Sequence, residues 1–201
     1  MFTLKKQLIL GSGSKIRQKL LASVDLNFTV EKSTLDESTL KSKHEGLTAE
    51  ALSLVLAKEK ALAISDKYPQ HIVIACDQVC CCENKIFDKP GVEARCIEQL
   101  QQLAGKTHQL YSAICLASDR QIVWTHIATA TLTMRQLSDT EIRQYVAKDK
   151  PFHSCGSYYF ESLGRHLFRE IRGEQDTVLG LPLIPLLNAL YDYGFLQVAE
   201  H

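Results

Sequence analysis

An uninterrupted run of five apolar residues, 72–76, limits what this chain can fold into more than any other stretch. A run this short and this apolar is typical of a strand that is buried on both faces of its sheet. Helical patterns lie on either side of it in the sequence, from Thr48 to about Lys67 and from 92 to 105. Strands and helices alternate in the first part of the chain, and strands dominate after it. This order predicts an α/β protein with an elongated mixed sheet and flanking helices.

Length and charge limit the number of domains and the kinds of partner. The 201 residues contain no repeat and no long Pro-, Gly- or Ser-rich linker, so we expect a single domain over 1–201. Lys plus Arg and Asp plus Glu number 23 each, so no overall field draws the protein to nucleic acid or to a membrane. No apolar stretch approaches the roughly 18 residues that span a bilayer. We therefore expect no nucleic-acid or membrane partner, a cytoplasmic location, and a local charge cluster for any anionic ligand.

The seven cysteines are compatible with a metal site, with disulfides or with simple packing. No C-x-x-C pair occurs, and Cys80, Cys81 and Cys82 follow a strand pattern, in which neighbouring side chains point to opposite faces. Free cysteine is a common small core residue in reducing compartments. The pattern therefore favours structural thiols over a zinc site.

The segment LILGSGSKIR, residues 8–17, joins a strand pattern to a helix pattern through a Gly/Ser loop. It lacks the second glycine of a Walker A loop, and Ile16 occupies the third glycine position of a dinucleotide fingerprint. The hydroxyl of Ser12, the free N–H groups at the helix start and Arg17 one turn later suit an anion. Taken alone, however, the segment is better explained by an ordinary helix cap with solvent-facing basic residues.

Two polar residues, Asp77 and Gln78, interrupt the buried apolar run at the expected C-terminal end of its strand. A carboxylate at such a position lies at the crevice where α/β sheets usually bind ligands. An aspartate there binds Mg²⁺ or accepts a proton from water, although an aspartate that caps a turn fits the same pattern. The residues alone leave both interpretations open.

Further charged residues add weaker signals. Lys89 precedes a proline, which holds its backbone extended. Lys58 and Lys60 both have apolar neighbours one helical turn away, so spacing does not choose between them. Glu37 holds a metal or flanks a loop, and Glu161, in a Gly-flanked segment, contacts a base or caps a turn. Together these groups, without an ordered Ser/His/Asp or Cys/His set, favour metal-dependent chemistry on a phosphate ester or anhydride over acyl transfer.

A resemblance covers essentially the whole chain in collinear order. It is carried by LILGSGSKIRQKLL, LDE (35–37), LAKEKA (56–61), CDQV, DKP, LAGKTHQLYSAI (103–114), LSDTEIRQYV, CGSYYFESLGRHLF and GLPLIPLL. With these segments the chain resembles the Maf family of nucleoside triphosphate pyrophosphatases. The resemblance implies an elongated α/β fold related to inosine triphosphatases, with the active site in a cleft between two lobes. It also implies hydrolysis of a nucleoside triphosphate to the monophosphate and pyrophosphate, Mg²⁺ or Mn²⁺ as the metal, and a homodimer.

The same resemblance suggests roles for individual residues. Asp77 matches the family's general base and, with Glu37, is a candidate metal ligand. Lys60 rather than Lys58 matches the family's pocket lysine. A triphosphate carries about four negative charges, so cations must surround it. The positions that match charged or small pocket residues of the family are Ser12, Arg17, Glu37, Lys60 and Lys89.

Three positions bear on the nucleobase of the substrate. Gln78 and Glu161 stand as in the branch that resembles 7-methyl-GTP pyrophosphatases, whereas Ile16 stands where that branch commonly has tryptophan. The Glu161 carboxylate accepts hydrogen bonds from the N1–H and amine of guanine, which thymine and uracil do not present in the same pattern. We therefore expect a preference for purine or modified-purine nucleotides. The alternatives are a 7-methyl-GTP-specific pyrophosphatase and a non-catalytic nucleotide-binding regulator of cell division.

Overall fold

The computed structural model describes residues 2–198. Its strands are β1 Phe2–Leu4, β2 Leu8–Leu10, β3 Phe28–Val30, β4 Ile72–Cys82, β5 Lys85–Phe87, β6 Thr107–Ser118, β7 Gln121–Met134, β8 Phe168–Arg172 and β9 Leu196–Val198. Its helices are α1 Lys15–Ala22, α2 Glu37–Lys43, α3 Ala49–Lys67, α4 Glu93–Leu103, α5 Asp139–Asp149, α6 Gln175–Val178 and α7 Leu183–Asp192. Two 3₁₀ turns occupy Cys155–Ser157 and Leu163–Leu167.

One sheet dominates the molecule. Its strands follow the order β3-β2-β4-β6-β7-β8, and β5 pairs with β4 as a branch. β2 runs parallel to β3 and β4, whereas β4, β6, β7 and β8 are antiparallel neighbours. β1 and β9 form a separate antiparallel pair. A mixed sheet with flanking helices confirms the predicted α/β class.

The apolar run of β4 occupies the centre of the sheet. Ile72, Val73, Ile74 and Ala75 are fully buried, with β2 on one side and β6 on the other. The sequence also predicts hairpin turns at 83–84, between the strand patterns VCCC and KIF, and at Asp119 and Arg120. Both are present, the first after β4 and the second after β6. All four turn residues have positive φ, between 51° and 64°. This backbone is typical of the two-residue turns that match the twist of antiparallel strands.

The predicted helix starts are also present. Thr48 precedes α3, and its hydroxyl accepts a hydrogen bond of 3.2 Å from the Ala51 N–H. Ser138, followed three residues later by Glu141, predicts a capping box, and the two side chains form it at the start of α5. Gly105, with φ of +72°, follows the end of α4. Within residues 2–198 no helix is long and apolar enough to cross a membrane.

Among the elements that the sequence pattern did not predict are α2 and β8. α2 has seven residues and begins at Glu37, with Asp36 accepting a hydrogen bond from the Ser38 N–H. β8 lies in the Gly-broken segment 156–173 and pairs with Thr131–Met134 of β7. Elements this short are stabilised by tertiary partners rather than by their own sequence pattern.

Two hydrophobic clusters follow each other along β4. Ile72, Ile74 and Cys76 pack with residues of α1 and α7, whereas Cys80 and Cys82 pack with residues of α4 and α5. β4 does not end at Asp77, as the sequence predicted, but continues to Cys82, because its second half pairs with β5 and β6. Gln78 lies between the two clusters on the same face of the strand, whereas Asp77 is on the opposite face. Each cluster forms the core of one lobe, so the strand passes from lobe to lobe at its polar pair.

Candidate active site

The Gly/Ser loop turns Arg17 towards β4. Ser14 caps α1, its hydroxyl accepting from the Arg17 N–H at 3.5 Å, and Ser12 Oγ accepts from the Ser14 N–H at 3.3 Å. The Arg17 guanidinium donates to the carbonyl oxygen of Cys76 at 2.9 Å and to Ser12 Oγ at 3.4 Å. Arg17 therefore lies beside the catalytic candidate of β4 instead of facing solvent, whereas Lys15 is exposed.

Lys60 joins two carboxylates. Its ammonium nitrogen lies 2.6 Å from Asp77 Oδ1 and 2.6 Å from Glu37 Oε1. Lys60 and Asp77 are each only 8% exposed. Lys60 projects from α3, Asp77 from the facing side of β4, and Glu37 from the first turn of α2. Three separate elements thus bring two negative groups and one positive group into contact.

This arrangement shifts the pKa values of its members. Burial acts to raise the pKa of Glu37, but the charge and hydrogen bond of Lys60, with the charges of Lys89 and Lys41, outweigh it and lower the pKa to about 2. Burial acts to lower the pKa of Lys60, but the carboxylates of Asp77 and Glu37 outweigh it, so this pKa is raised. Lys60 is therefore a permanent cation, and Glu37 a permanent anion, at neutral pH.

A second set of ion pairs ties α2 to the segment after β5. Lys89 Nζ lies 3.5 Å from Glu37 Oε2, and Lys41 Nζ forms an ion pair with Asp88. Lys89 is exposed, whereas Glu37 and Asp88 are half-buried. Asp88 therefore has a definite partner that no sequence pattern indicated.

Gln78 leaves β4 on the side opposite to Asp77, because successive side chains of a strand alternate. Its Nε2 donates to Ser112 Oγ at 2.8 Å and to the carbonyl oxygens of Thr177 and Val178 at 3.0 and 3.1 Å. Gln78 is thereby joined to both β6 and α6.

Most of these groups line one cavity of about 780 Å³, although Lys41, Asp88 and Ser112 do not. This volume is within the range of small-molecule sites. The sequence-predicted residues that line it are Ser12, Ile16, Arg17, Glu37, Lys60, Asp77, Gln78, Lys89 and Glu161. The segment after α5 adds the aromatic rings of Tyr158, Tyr159 and Phe160 to the lining. Of the residues expected to contact the base, Glu161 is exposed and Ile16, on α1, is half-buried. The structure thus brings the predicted residues together, while their individual roles stay predictions.

Sequence reasoning missed several residues of this cavity. Cys155 lines it, and its sulfur lies 3.7 Å from Gln78 Oε1. Lys32 and Asp149 also line the wall. Lys32 and Asp149 lie outside every segment that carries the resemblance. Cys155 opens the segment CGSYYFESLGRHLF, but no pattern there distinguishes its thiol from a structural one.

The residues present fit a divalent metal ion. Asp77 and Glu37 supply carboxylate oxygens, the ligands that Mg²⁺ and Mn²⁺ prefer, and one ammonium holds both carboxylates close together. No group of three or more His, Cys, Asp or Glu side chains that could hold a metal is found among the residues described. Two protein carboxylates with substrate phosphates and water are the usual way in which proteins bind Mg²⁺.

Fold and cleft together define a class of protein: an α/β protein with a cavity suited to a ligand that carries several phosphates. An α/β sheet carries, between two lobes, a cavity whose wall places a guanidinium and two ammonium groups next to carboxylates. Cations of this kind suit a ligand with several phosphates, and a carboxylate beside them suits activation of water.

Comparison with known proteins places the chain within that class. The family described as Maf-like protein matches residues 7–193. The chain therefore belongs to the Maf family, as its motifs predicted.

Relatives are similar over almost their whole length. A Legionella pneumophila protein named nucleoside triphosphate pyrophosphatase is 42% identical over 189 residues, which are 94% of each chain. A Rhizobium johnstonii protein named 7-methyl-GTP pyrophosphatase is 37% identical over 192 residues, 94% of this chain and 96% of that one. Among solved structures, the Ham1 protein of Staphylococcus aureus matches with a TM-score of 0.43 and 14% identity, covering 94% of this chain and 100% of that one.

Proposed function

We propose that this protein is a nucleoside triphosphate pyrophosphatase, which converts a nucleoside triphosphate to the monophosphate and pyrophosphate. The observation that carries the proposal is the buried ammonium of Lys60 held between Asp77 and Glu37, in a cavity that Arg17 and Lys89 also line. Family membership and the names of the relatives support the same reaction. A protein that only binds nucleotides would not need two carboxylates beside its cations.

In the proposed reaction a water molecule attacks the α-phosphorus. A bond forms between that phosphorus and the water oxygen, the bond to the α,β-bridging oxygen breaks, and pyrophosphate leaves. Asp77 takes the proton of the attacking water and later releases it to solvent, while Lys60 holds Oδ1 of that carboxylate in place. Arg17, Lys60 and Lys89 stabilise the negative charge that builds on the leaving pyrophosphate.

We propose Mg²⁺ or Mn²⁺ as the cofactor, with Glu37 and Asp77 as the residues that hold it. A bound divalent ion neutralises phosphate charge and polarises phosphoryl oxygens. The low pKa of Glu37, about 2, supports this role because the carboxylate is ionised at every physiological pH.

For the substrate's base we propose a purine or a modified purine. Gln78, Glu161 and Ile16 line the cavity and are the positions expected to contact the base. The 7-methyl-GTP pyrophosphatase of Rhizobium johnstonii is one relative with a modified-purine substrate in its name. Discrimination against dTTP would come from hydrogen bonds that guanine donates and thymine does not present in the same pattern.

We also propose that the protein acts in the cytoplasm as a homodimer, as its resemblance to the family implies. Sedimentation analysis tests the dimer, and a mass near twice 22.6 kDa is expected. A monomer at micromolar concentration would contradict it.

The test of the reaction is pyrophosphate release from a panel of nucleotides. The panel contains the common triphosphates, 7-methyl-GTP and 5-methyl-UTP, each with Mg²⁺ or Mn²⁺. We expect release that requires metal and that falls about 10²- to 10⁴-fold in Asp77→Ala and Asp77→Asn, the range for loss of a general base. Asp66→Ala, which changes an exposed aspartate of α3, serves as the matched control and should retain wild-type rates.

The outcomes separate the candidate functions. If Asp77→Ala releases pyrophosphate at the wild-type rate, Asp77 is not the general base. Nucleotide binding without release from any triphosphate would replace the enzyme with the alternative, a nucleotide-binding regulator. A kcat/KM for dTTP far above those for GTP and 7-methyl-GTP would overturn the purine preference.

A further inference from the structure

The side-chain amide of Gln78 has fixed polar partners on two elements. Ser112 on β6 stands directly opposite Gln78 in the sheet register, is fully buried, and receives a hydrogen bond from Gln78 Nε2. The carbonyl oxygens of Thr177 and Val178, from α6, receive hydrogen bonds from the same nitrogen. Both hydrogens of the amide nitrogen are therefore taken up by acceptors of the protein.

The direction of the Ser112 hydroxyl hydrogen allows only one orientation of the Gln78 side-chain amide. Ser112 Oγ lies 2.8 Å from the carbonyl oxygen of Thr177, and a carbonyl only accepts, so the hydroxyl hydrogen points at Thr177. The lone pairs of Ser112 then face Gln78, which must donate. If the amide were turned over, Gln78 Oε1 would face two carbonyl oxygens and a hydroxyl whose hydrogen is already used. Such a set of unpaired buried oxygens is strongly unfavourable.

The other end of the amide agrees with this orientation. Cys155 Sγ lies 3.7 Å from Gln78 Oε1, and both residues line the cavity. Burial raises the pKa of Cys155 to about 11, so the thiol keeps its hydrogen at neutral pH and acts as a weak donor. Gln78 Oε1 keeps a free lone pair for a ligand, since a carbonyl oxygen accepts two hydrogen bonds.

We propose that Ser112 is a positioning residue for base recognition: it locks the Gln78 amide so that the cavity meets the acceptor Oε1 and never the NH₂ donor. This inference rests on the proposed function. Glu161, on the same cavity wall, is also an acceptor when ionised. Bases with adjacent N–H donors, such as guanine with its N1–H and amine, are then favoured over uracil, whose single N3–H lies between two carbonyl acceptors.

The test compares Ser112→Ala with the wild type on GTP and UTP. We expect the GTP-to-UTP ratio of kcat/KM to fall about tenfold, mainly through KM, which is the size of effect of one hydrogen bond. Calorimetry with the uncleavable α,β-methylene analogues of both nucleotides should show the same fall in the affinity ratio. Ser112→Thr, which keeps the hydroxyl, should restore the ratio. Ser65→Ala removes another fully buried serine hydroxyl, on α3, and should leave the ratio unchanged.

Side-chain amide hydrogen exchange provides a second measurement that needs no variant to fold. The NH₂ hydrogens of Gln78 should exchange at least tenfold more slowly than those of the exposed Gln70, because buried acceptors hold them. Equal exchange rates would overturn the proposal, as would an unchanged nucleotide ratio in folded Ser112→Ala.

The uncleavable analogues test the role of Ser112 separately from the proposed reaction, because they bind without being cleaved. If the analogues bind with a ratio that depends on Ser112 and no triphosphate is cleaved, the reaction fails and the role of Ser112 stands. If triphosphates are cleaved and the GTP-to-UTP ratio does not depend on Ser112, the proposed role of Ser112 is wrong while the proposed reaction stands. Absence of any analogue binding would overturn both.

Discussion

At the scale of single residues, His108 is fully buried beneath the aromatic wall of the cleft. Its Nε2 lies 2.8 Å from the hydroxyl oxygen of Tyr158, and its ring centre lies 5.9 Å from that of Phe168. Its Nδ1 is buried without a hydrogen-bond partner among the residues described. Burial lowers the pKa of His108 from 6.5 to about 4, so the folded protein holds this imidazole neutral.

This shift predicts how stability depends on pH. Between pH 6.5 and 4 the unfolded chain binds a proton at His108 that the folded chain does not bind, so the free energy of unfolding falls as pH falls. Above pH 6.5 His108 does not lower the free energy of unfolding. Below pH 4 it lowers this free energy by about 3 kcal/mol. His108→Gln should flatten this part of the pH dependence of urea unfolding. His166→Gln, at an exposed histidine, should not, and identical slopes for both variants would contradict the prediction.

At the scale of elements, α2 is held over the cleft by its ion pairs. Glu37 binds Lys60 of α3. The pairs Glu37–Lys89 and Lys41–Asp88 link the short helix to the segment after β5. Seven residues do not form a stable helix by themselves in water. The position of the candidate metal ligand Glu37 therefore depends on the Lys41–Asp88 contact, which lies one turn further along the same helix.

Asp88→Gly tests this dependence, since it removes the partner of Lys41. An exposed ion pair contributes up to about 1 kcal/mol. We therefore expect the metal concentration that gives half-maximal rate to rise about two- to fivefold, with little change in kcat. Lys41→Ala should have the same effect, and the double variant should be no worse than either single one. Lys43→Ala, at an exposed lysine of α2, is the control. Effects that multiply in the double variant would show that the pair does not act as a unit.

At the scale of the whole molecule, the cleft separates two hydrophobic clusters that share β4. One cluster includes residues of β2, α1 and α7, and the other includes residues of α4 and α5. The cavity is lined from both lobes, by the loop after β2 and by the segment after α5. A ligand that contacts both walls binds the folded protein only, and it therefore stabilises the fold by mass action.

This predicts a large thermal shift with an uncleavable nucleotide. At a free concentration of 100 times Kd, an α,β-methylene triphosphate with Mg²⁺ should stabilise the protein by about 2.7 kcal/mol. For a chain of this size the Tm should rise by about 5–10 °C. Lys89→Ala should reduce the shift at a fixed nucleotide concentration, whereas Lys85→Ala, at an exposed lysine of β5, should preserve it. Equal shifts in both variants would contradict the placement of the triphosphate beside Lys89.

Much of the fold follows from neighbours in the sequence. The five-residue apolar run predicted the central strand, and Thr48 and Ser138 predicted helix starts that the structure contains. β8 and α2 could not be predicted in this way. β8 exists because it pairs with the end of β7, and α2 is held by ion pairs to other elements.

The candidate site divides in the same way. Sequence pattern singled out Asp77 but wrongly placed it at the end of a buried strand, which continues to Cys82. The pattern also left Lys58 and Lys60 equivalent until family resemblance selected Lys60. The structure places Lys60 2.6 Å from Asp77. Ser112 and Cys155 lie in segments that carry the resemblance, but no local pattern indicated their contacts with Gln78, which span 34 and 77 residues.

The sequence by itself therefore determined the α/β class, the hairpins, the helix caps and the family, because these depend on local backbone preference and on collinear motifs. Only the tertiary structure decided that Lys60 joins two carboxylates and that Gln78 presents its oxygen to the cavity. Both depend on side chains from different elements meeting within hydrogen-bond distance. The packing of the two lobes on one strand sets those distances, and no pattern within a short window encodes them.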